Sequence, residues 1–466
     1  MTAPAARETD GFVPGGRVRG AIEVGPSKSA AQRVLALAAL AEGTTRIVGL
    51  AAEVGQDVAA ALELARALGA RPARENAGLL TLTSAPRGAP APRVEVLESA
   101  TTARFALALL ALGAPRSAAA ELVPAGSLLR RSSVPLVRAL RAAGARLVAS
   151  ADAPVAEAKD ADGGFAWRIE AIAAPPRLEL ATPVSSQEVS ALLIALAAAG
   201  GTRELLVRGT IPSRPYLALT LEVLDRFGVR VESTEFAGGA RFVVRGVLTA
   251  PREVVRIEPD ASSAAVALAA GCLSGGDVSV PGLDARSAQP DVAVSRGLRA
   301  FGCESPAARG ELRALGLPLV GATLDLHGTP DLAPVFAALG AAVAWSARRG
   351  GRGAEALTRL RGLHTLHGKE SSRVEVLARG LGSLGLEVHA SREELVIAPG
   401  TAPLPLGALA LDPHGDHRMA FAFALLSLVV PGVRVLDPGC VAKSWPGFWE
   451  DLEAAGARRD PARVAR

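Results

Sequence analysis

The sequence predicts an α/β (α+β) protein made of two globular halves, each assembled from three repeats of a β-α-β-α-β unit. Three observations predict this. The length, 466 residues, exceeds what one ordinary core holds. A helical run rich in Leu, Ala and Arg, closed by glycine and followed by a short β-type segment, recurs six times, at Gly69, Gly144, Gly228, Gly302, Gly385 and Gly456. The successive spacings, roughly 71 to 84 residues, mark an internally repeated fold.

Each element follows from local chemistry. Runs such as LELARALGARPA, VRALRAAGARLVA and LEVLDRFGVRVES carry apolar residues at helical spacing. The glycine then takes the left-handed conformation that ends a helix without a Cβ penalty. Earlier in each unit a helix is expected to end at Gly43, Gly113, Gly200, Gly275, Gly340 and Gly432, with β-type segments such as TTRIVGL and DVSVPGL after most of them. A single unit is too small to bury its own apolar faces. The fifth is stretched by the Arg/Gly-rich segment 348–353, read as an exposed loop. The third and fourth units meet near Val247–Ile257, the expected domain boundary.

Composition narrows the class. With 49% hydrophobic and 21% charged residues, the balance is that of a soluble globular protein. The apolar runs, such as Val34–Leu40 and Val189–Ala199, are expected to stop well short of a membrane span. The first residues, with Arg7, Glu8 and Asp10, read as a frayed tail rather than a secretory leader. Cys272, Cys303 and Cys440 have no metal spacing and cannot pair completely, which fits a reducing cytoplasm. The net charge of +5 comes from basic residues scattered singly among acids, and aromatics make up only 3% of the chain. That pattern argues against a nucleic-acid module and suits a small polyanionic substrate.

Rare residues point to the site. Of 51 basic residues only Lys28, Lys159, Lys369 and Lys443 are lysines. Where arginine serves wherever charge suffices, a remaining lysine marks a need for a compact, pKa-adjustable ammonium. Tyr216 is the only tyrosine, and Gln187 and Gln289 are two of four glutamines. These residues gather at expected helix starts. Gly25-Pro26-Ser27-Lys28-Ser29 feeds a helix carrying Gln32 and Arg33, a natural anion site of free N–H groups and added charge. Ser185-Ser186-Gln187, Ser213-Arg214-Pro215-Tyr216, the Asp260 box, the Gln289 box and Pro330-Asp331 precede further helices. His367-Gly368-Lys369-Glu370-Ser371-Ser372-Arg373 leads into VEVLARGL, with Glu370 and Arg373 expected on one helix face. Asp416-His417-Arg418 and Ala442-Lys443-Ser444 precede two more. Capping explains most of the serines and aspartates. It does not explain why the rare lysines, the tyrosine and the glutamines gather in the same places.

SKSAAQRVLALAALAEGTT, SSQEVSALL, SRPYLALTL, PDASSAAVALAA, SAQPD, PDLAP, KESSR, DHRMAFAFALL and CVAKSWPGF occur in order from about Ala21 to Gly456. In this order they closely resemble the boxes of the 5-enolpyruvylshikimate 3-phosphate synthase family. The resemblance implies an inside-out α/β barrel of two domains, each with three β-α-β-α-β-β repeats, and ligands in the interdomain cleft. Residues 26–257 would form the domain binding mainly shikimate 3-phosphate. Residues 1–25 and 258–466 would form the one carrying the acid/base residues and much of the phosphoenolpyruvate site. The activity implied is transfer of the enolpyruvyl group of phosphoenolpyruvate to the 5-hydroxyl of shikimate 3-phosphate, with release of phosphate. The implied partners are those two small molecules, with no nucleic acid, no membrane, no cofactor and no metal, and a monomer is expected.

The resemblance also carries residue roles. Lys28, Ser29, Arg33, Ser185, Ser186, Gln187, Ser213, Tyr216, Asp331, Thr365 and Lys369 match positions that hold shikimate 3-phosphate, with Ser185, Ser186 and Ser213 around its phosphate. Lys28, Ala100, Arg131, Gln187, Arg373, Arg418 and Lys443 match those that hold phosphoenolpyruvate. Asp331 and Glu370, with Lys28, match the acid/base set. The chemistry needs such a set, because C3 of the enol must gain and later lose a proton while the attacking hydroxyl loses one. Asp331 is assigned to the hydroxyl and Glu370 to C3, with Glu370 expected beside Lys369 and its charge balanced by desolvation. The anionic groups of phosphoenolpyruvate call for several arginines and lysines together.

The sequence departs from the family in places. The usual Gly-Asn-Ser-Gly-Thr-Thr-x-Arg loop reads Leu97-Glu98-Ser99-Ala100-Thr101-Thr102-Ala103-Arg104. Glu98 would repel an anion unless its carboxylate turns away, and Ala100 adds a methyl where glycine allows close approach. Bulkier phosphoenolpyruvate mimics, glyphosate among them, are therefore expected to bind poorly. Gln56, Pro290, Thr365 and Ser372 also differ from common family residues without removing a named catalytic group. The nearest alternative is a UDP-N-acetylglucosamine enolpyruvyltransferase, which typically uses a loop cysteine in the first half, and here no cysteine precedes Cys272. The other is a non-catalytic anion-binding relative.

Overall fold

The computed structural model describes residues 8–50, 54–76, 78–84, 93–113, 119–150, 164–350, 355–405 and 407–460. Helices and strands alternate along them, so the fold is of mixed helix and strand type. The chain divides into two compact units, Pro26–Glu258 and the pair Met1–Gly25 with Pro259–Arg466.

In Pro26–Glu258 the helices are α1 (Lys28–Ala38), α2 (Gln56–Ala67), α3 (Ala100–Ala111), α4 (Val134–Ala142), α5 (Ser186–Ala199) and α6 (Tyr216–Arg226). Three four-stranded sheets accompany them. The first joins Val255–Arg256, Thr44–Val48, Leu79–Thr83 and Arg71–Asn76, the second Arg93–Leu97, Ala120–Pro124, Trp167–Glu170 and Arg146–Ala149, and the third Arg177–Ala181, Gly201–Arg208, Gly239–Gly246 and Val229–Phe236. In each, the first strand runs parallel to the second and the remaining pairs are antiparallel. Helices α3 and α5 are buried on almost every face, which their Ala- and Leu-rich sequences permit.

The other unit holds α7 (Ala261–Leu273), α8 (Val294–Ala300), α9 (Ala333–Arg348), α10 (Arg373–Gly382), α11 (His417–Ser427) and α12 (Phe448–Ala454). Two four-stranded sheets repeat the same order: Gly20–Ala21 and Asp277–Pro281 with Glu311–Leu315 and Ala307–Ala308, then Thr323–Asp325 and Thr358–Arg361 with Glu394–Ala398 and Glu387–Ala390. A three-stranded sheet joins Thr9–Asp10, Val433–Leu436 and Leu409–Leu411.

The repeat-closing glycines behave as helix stops. Gly69, Gly144, Gly228, Gly302, Gly385 and Gly456 have φ between 78° and 109°. Each N–H returns to the carbonyl three residues back, at 2.8–3.0 Å. After Gly69, Gly144, Gly302 and Gly456 the next N–H reaches five residues back, completing a Schellman motif.

Four expectations need correction. Gly340 does not end a helix; it lies inside α9, where an added Cβ would stand 2.7 Å from Thr358 Oγ1. It is a close-approach glycine, and the helix runs on to Arg348. Arg348 is therefore not loop either: its guanidinium donates to the Gly385 carbonyl at 2.6 Å, while residues 351–353 lie outside the described set. The N-terminal stretch is not frayed from Thr9 onward. Thr9–Asp10 pairs with Val435–Leu436, Phe12 is buried, and Asp10 bonds to Arg459; Arg7 lies outside the described residues. Finally, Pro330–Arg348 is long and apolar enough to cross a membrane by length and composition, yet 83% of that window is buried. Its Ala-rich surface packs as a core helix.

Candidate active site

In Pro26–Glu258 the helix starts form a polar network. Ser27 caps α1, and Lys28, the first residue of that helix, pairs with Asp57 at 2.8 Å. Gln32, one turn on, donates to Ser99 Oγ at 2.7 Å and Thr102 Oγ1 at 3.0 Å, tying α1 to the start of α3. Ser185 caps α5 by accepting from the Gln187 N–H, and the Gln187 side-chain Oε1 accepts from Arg104 at 2.8 Å. Arg104 also donates to Ser133 Oγ and to the carbonyls of Ala100 and Ser132, which fixes the segment that follows Arg131. Burial pulls the Arg104 guanidinium down to about 10, with Glu188 opposing and Arg131 adding to the effect.

Arg33 is buried at the junction of three helices. Its Nε donates to Thr220 Oγ1 at 2.7 Å, and its two Nη atoms to the Ser29 carbonyl and Ser190 Oγ. Burial lowers its guanidinium to about 10, partly offset by Tyr216. Ser186 is buried as the first residue of α5, and Tyr216 opens α6. Ser213, before it, holds φ 51° in the left-handed region. Glu98 does turn: its carboxylate accepts from the Ser127 N–H at 3.2 Å and hydroxyl at 2.6 Å. It lies against Gly126, where a Cβ would sit 2.2 Å from Glu98 Oε1. Ala100 is buried as the first residue of α3.

The denser group lies in the other unit. Asp331 sits in a short 3-10 turn ahead of α9, and Arg373 is the first residue of α10. The Arg373 guanidinium, 2% exposed, donates to Asp331 Oδ1 at 2.9 Å and Asp416 Oδ2 at 2.8 Å. Asp416 caps α11 and also accepts from Ser371 Oγ at 3.1 Å. Lys369 Nζ stands 3.4 Å from Asp331 Oδ1, and Arg418 Nη2 stands 3.3 Å from Asp331 Oδ2. Glu370 is held by His417 Nδ1 at 2.9 Å and Lys443 Nζ at 3.0 Å, with Arg373 farther off at 3.9 Å. Thr365 lies in the 3-10 turn His364–Gly368 that leads into Lys369.

Glu370 therefore differs from expectation in two ways. It precedes α10 rather than sharing its face, since the helix begins at Arg373. Its cationic partner is Lys443, while Lys369 serves Asp331. Burial alone would raise the Glu370 carboxyl, but His417, by charge and hydrogen bond, outweighs it, with Arg373 and Lys443 adding. The carboxyl is held well below its usual range. Burial, then Asp416, Glu370 and Asp437, push the Cys440 thiol up to about 12, so it stays protonated.

His417, Asp416, Asp57, Gln32 and Arg104 belong to the same bonding networks as the candidate residues, and sequence reasoning assigns them no role. His417 and Asp416 stand inside the DHR box and Asp57 follows Gln56, so the box itself was the available signal. The partners that make them important are 25 to 83 residues away.

Comparison with known proteins follows the same outline. The profile of the family described as EPSP synthase (3-phosphoshikimate 1-carboxyvinyltransferase) matches residues 13–452. A 3-phosphoshikimate 1-carboxyvinyltransferase of Nitrosomonas europaea is 32% identical over 455 residues, covering 94% of this chain and 96% of the relative. One from Methanopyrus kandleri is 34% identical over 454 residues with the same coverage, 94% and 96%. Among solved structures, an EPSP synthase from Acinetobacter baumannii superposes with a TM-score of 0.72 at 22% identity, covering 98% of this chain and 99% of that one, a likeness of fold. From the ordered match over nearly its whole length, the chain belongs to the EPSP synthase family.

Proposed function

We propose that this chain transfers the enolpyruvyl group of phosphoenolpyruvate to the 5-hydroxyl of shikimate 3-phosphate and releases phosphate. One observation carries the proposal beyond family membership: Asp331 and Glu370 both border buried Arg373, at 2.9 and 3.9 Å, with Lys369, Arg418 and Lys443 around them. Two carboxylates among that many cations suit acid/base work on an anionic substrate.

A proton passes from Glu370 to C3 of the enol, C2 becomes cation-like, and the 5-oxygen bonds to C2 as its proton leaves toward Asp331. Glu370 then recovers a proton from C3, the C2–O bond to phosphate breaks, and the enol ether forms. Glu370 is held ionised by His417, Arg373 and Lys443. Arriving phosphate and carboxylate groups would engage Lys443 and Arg418 and add negative charge, which removes support from the carboxylate and raises its proton affinity. His417 Nδ1, at 2.9 Å, is then placed to supply the proton.

Lys28, Gln187, Ala100, Arg131, Arg373, Arg418 and Lys443 are assigned to phosphoenolpyruvate. Ser29, Arg33, Ser185, Ser186, Ser213 and Tyr216, with Lys28, Gln187, Thr365, Lys369 and Asp331, are assigned to shikimate 3-phosphate. Pro26–Glu258 would thus serve mainly that second substrate. An inside-out barrel of three β-α-β-α-β-β repeats per unit, a monomeric state and a cytoplasmic location belong to the same proposal, supported by family membership.

Phosphate release from phosphoenolpyruvate tests it. Release is expected with shikimate 3-phosphate and not with UDP-N-acetylglucosamine. Release with the sugar nucleotide alone, or with neither, would overturn the assignment.

A further inference from the structure

Outside that cluster, in the same unit, two turns and the start of the 3-10 turn His364–Gly368 bring His327, His364 and Glu393 together. Each offers one ligand atom, and these atoms lie within 4.8 Å of one another. His364 Nδ1 stands 3.3 Å from Glu393 Oε2. That is about the spacing of two ligands on one tetrahedral zinc, whose bonds run ~2.0–2.2 Å. The His327 and His364 rings are 5.8 Å apart between centroids.

The cluster is held from behind. His327 Nδ1 bonds to Asp325 Oδ1 at 2.6 Å, and the His327 N–H donates to the same oxygen at 3.0 Å. A carboxylate on one imidazole nitrogen fixes the ring and leaves Nε2 to coordinate, the usual outer support of a histidine ligand. Gly362, with φ 79°, makes room for the ring, since a Cβ there would lie 2.6 Å from His327 Cγ and Nδ1. Backbone bonds lock the loops together: the Leu326 N–H reaches the Arg361 carbonyl at 2.9 Å, and the Leu363 N–H reaches the Glu393 carbonyl at 3.2 Å. Arg361, next to Gly362 in sequence, is engaged by Glu394 at 2.9 Å.

We propose that His327, His364 and Glu393 bind one divalent transition-metal cation of the zinc type, with water completing the coordination. Two imidazoles and one carboxylate suit Zn2+ and its neighbours better than Mg2+ or Ca2+. The residues supplying it lead directly to the other cluster: His327 lies four positions before Asp331, and His364 five before Lys369. A bound ion would pin those two segments to each other. Among the described residues a second group with metal-like spacing, Glu370, Asp416 and His417, already has Lys443 and Arg373 at its carboxylates, which disfavours a further cation there. The proposal does not depend on the reaction assigned above.

Equilibrium dialysis of the full chain, stripped with chelator and titrated with Zn2+, tests it. One ion per chain is expected, with a rise in Tm on binding. His327→Ala and His364→Gln should each abolish both effects, and His389→Ala, an exposed histidine outside the cluster, should change neither. Asp325→Asn, which removes only the support, should weaken binding by about tenfold or more. Circular dichroism confirms that each variant is folded, and Glu393→Ala replaces any that is not. No bound ion, binding unchanged in the two histidine variants, or binding lost only in His417→Ala would overturn the proposal.

Discussion

Replacing His417 by Phe isolates the electrostatics of Glu370. His417 Nδ1 lies 2.9 Å from Glu370 Oε2, with side-chain exposures of 2% and 10%. Removing one opposite charge at that range moves a carboxyl by ~1–3 pKa units. At about 1.4 kcal/mol per unit, the unit containing Glu370 should lose ~1.4–4 kcal/mol at pH 7. Phenylalanine keeps a ring against Phe421, which His417 meets edge-on at 6.0 Å, so little of the loss comes from packing. The folded Glu370 carboxyl is depressed, so its stabilisation is complete above the unfolded value of ~4.3 and disappears as pH falls through the folded value. The gap between wild type and variant should therefore close as pH falls through the acid range. A Trp167→Phe background makes the assay specific, because the other tryptophans, Trp345, Trp445 and Trp449, all belong to the unit with Pro259–Arg466. Urea denaturation followed by their fluorescence measures the gap at each pH. A gap that is independent of pH, or one that survives unchanged in Glu370→Gln, would refute the reasoning.

Other substitutions probe the fold and the departures from the family pattern. Gly340→Ala should destabilise by ~1–3 kcal/mol in the same urea assay, because the added methyl meets the Thr358 side chain at 2.7–2.8 Å. Gly382→Ala, with nothing within 4 Å, is the matched control and should not destabilise. Asp10→Ala breaks a pair with Arg459 in which both side chains are under a tenth exposed; because Arg459 keeps Glu450 at 2.9 Å, the cost should be ~1–3 kcal/mol, read from chemical denaturation. Glyphosate should inhibit the chain weakly, and Ala100→Gly should strengthen inhibition by about tenfold or more in a phosphate-release assay. A submicromolar inhibition constant for the unmodified chain would contradict the role given to Ala100.

The sequence made some features legible and hid others for physical reasons. The six closing glycines could be read because a helix stop is a local event, set by one residue's backbone freedom. Helix starts carrying Lys28, Ser185 and Arg373 were legible for the same reason. Partners remote in sequence were not. Asp10 looked like tail because Arg459 lies 449 residues on, and Glu370 was matched to adjacent Lys369 when its ion pair is with Lys443. Gly340 cannot be told from a helix stop by sequence, because a glycine needed for close approach and one ending a helix look alike in a row of alanines. Nor did any Cys/His spacing reveal His327, His364 and Glu393, which only neighbouring sheet loops bring together. Glu98, expected to repel an anion unless its carboxylate turns away, is turned onto Ser127, 29 residues on.

In the proposed reaction Glu370 carries a proton to and from C3 of phosphoenolpyruvate, and turnover in deuterium oxide, followed by proton NMR of the vinyl signals, is the decisive test. Deuterium should enter the methylene group only when shikimate 3-phosphate is present, and Glu370→Gln should stop that entry while both substrates still bind. Phosphate release without deuterium entry, or entry undiminished in Glu370→Gln, would contradict the account.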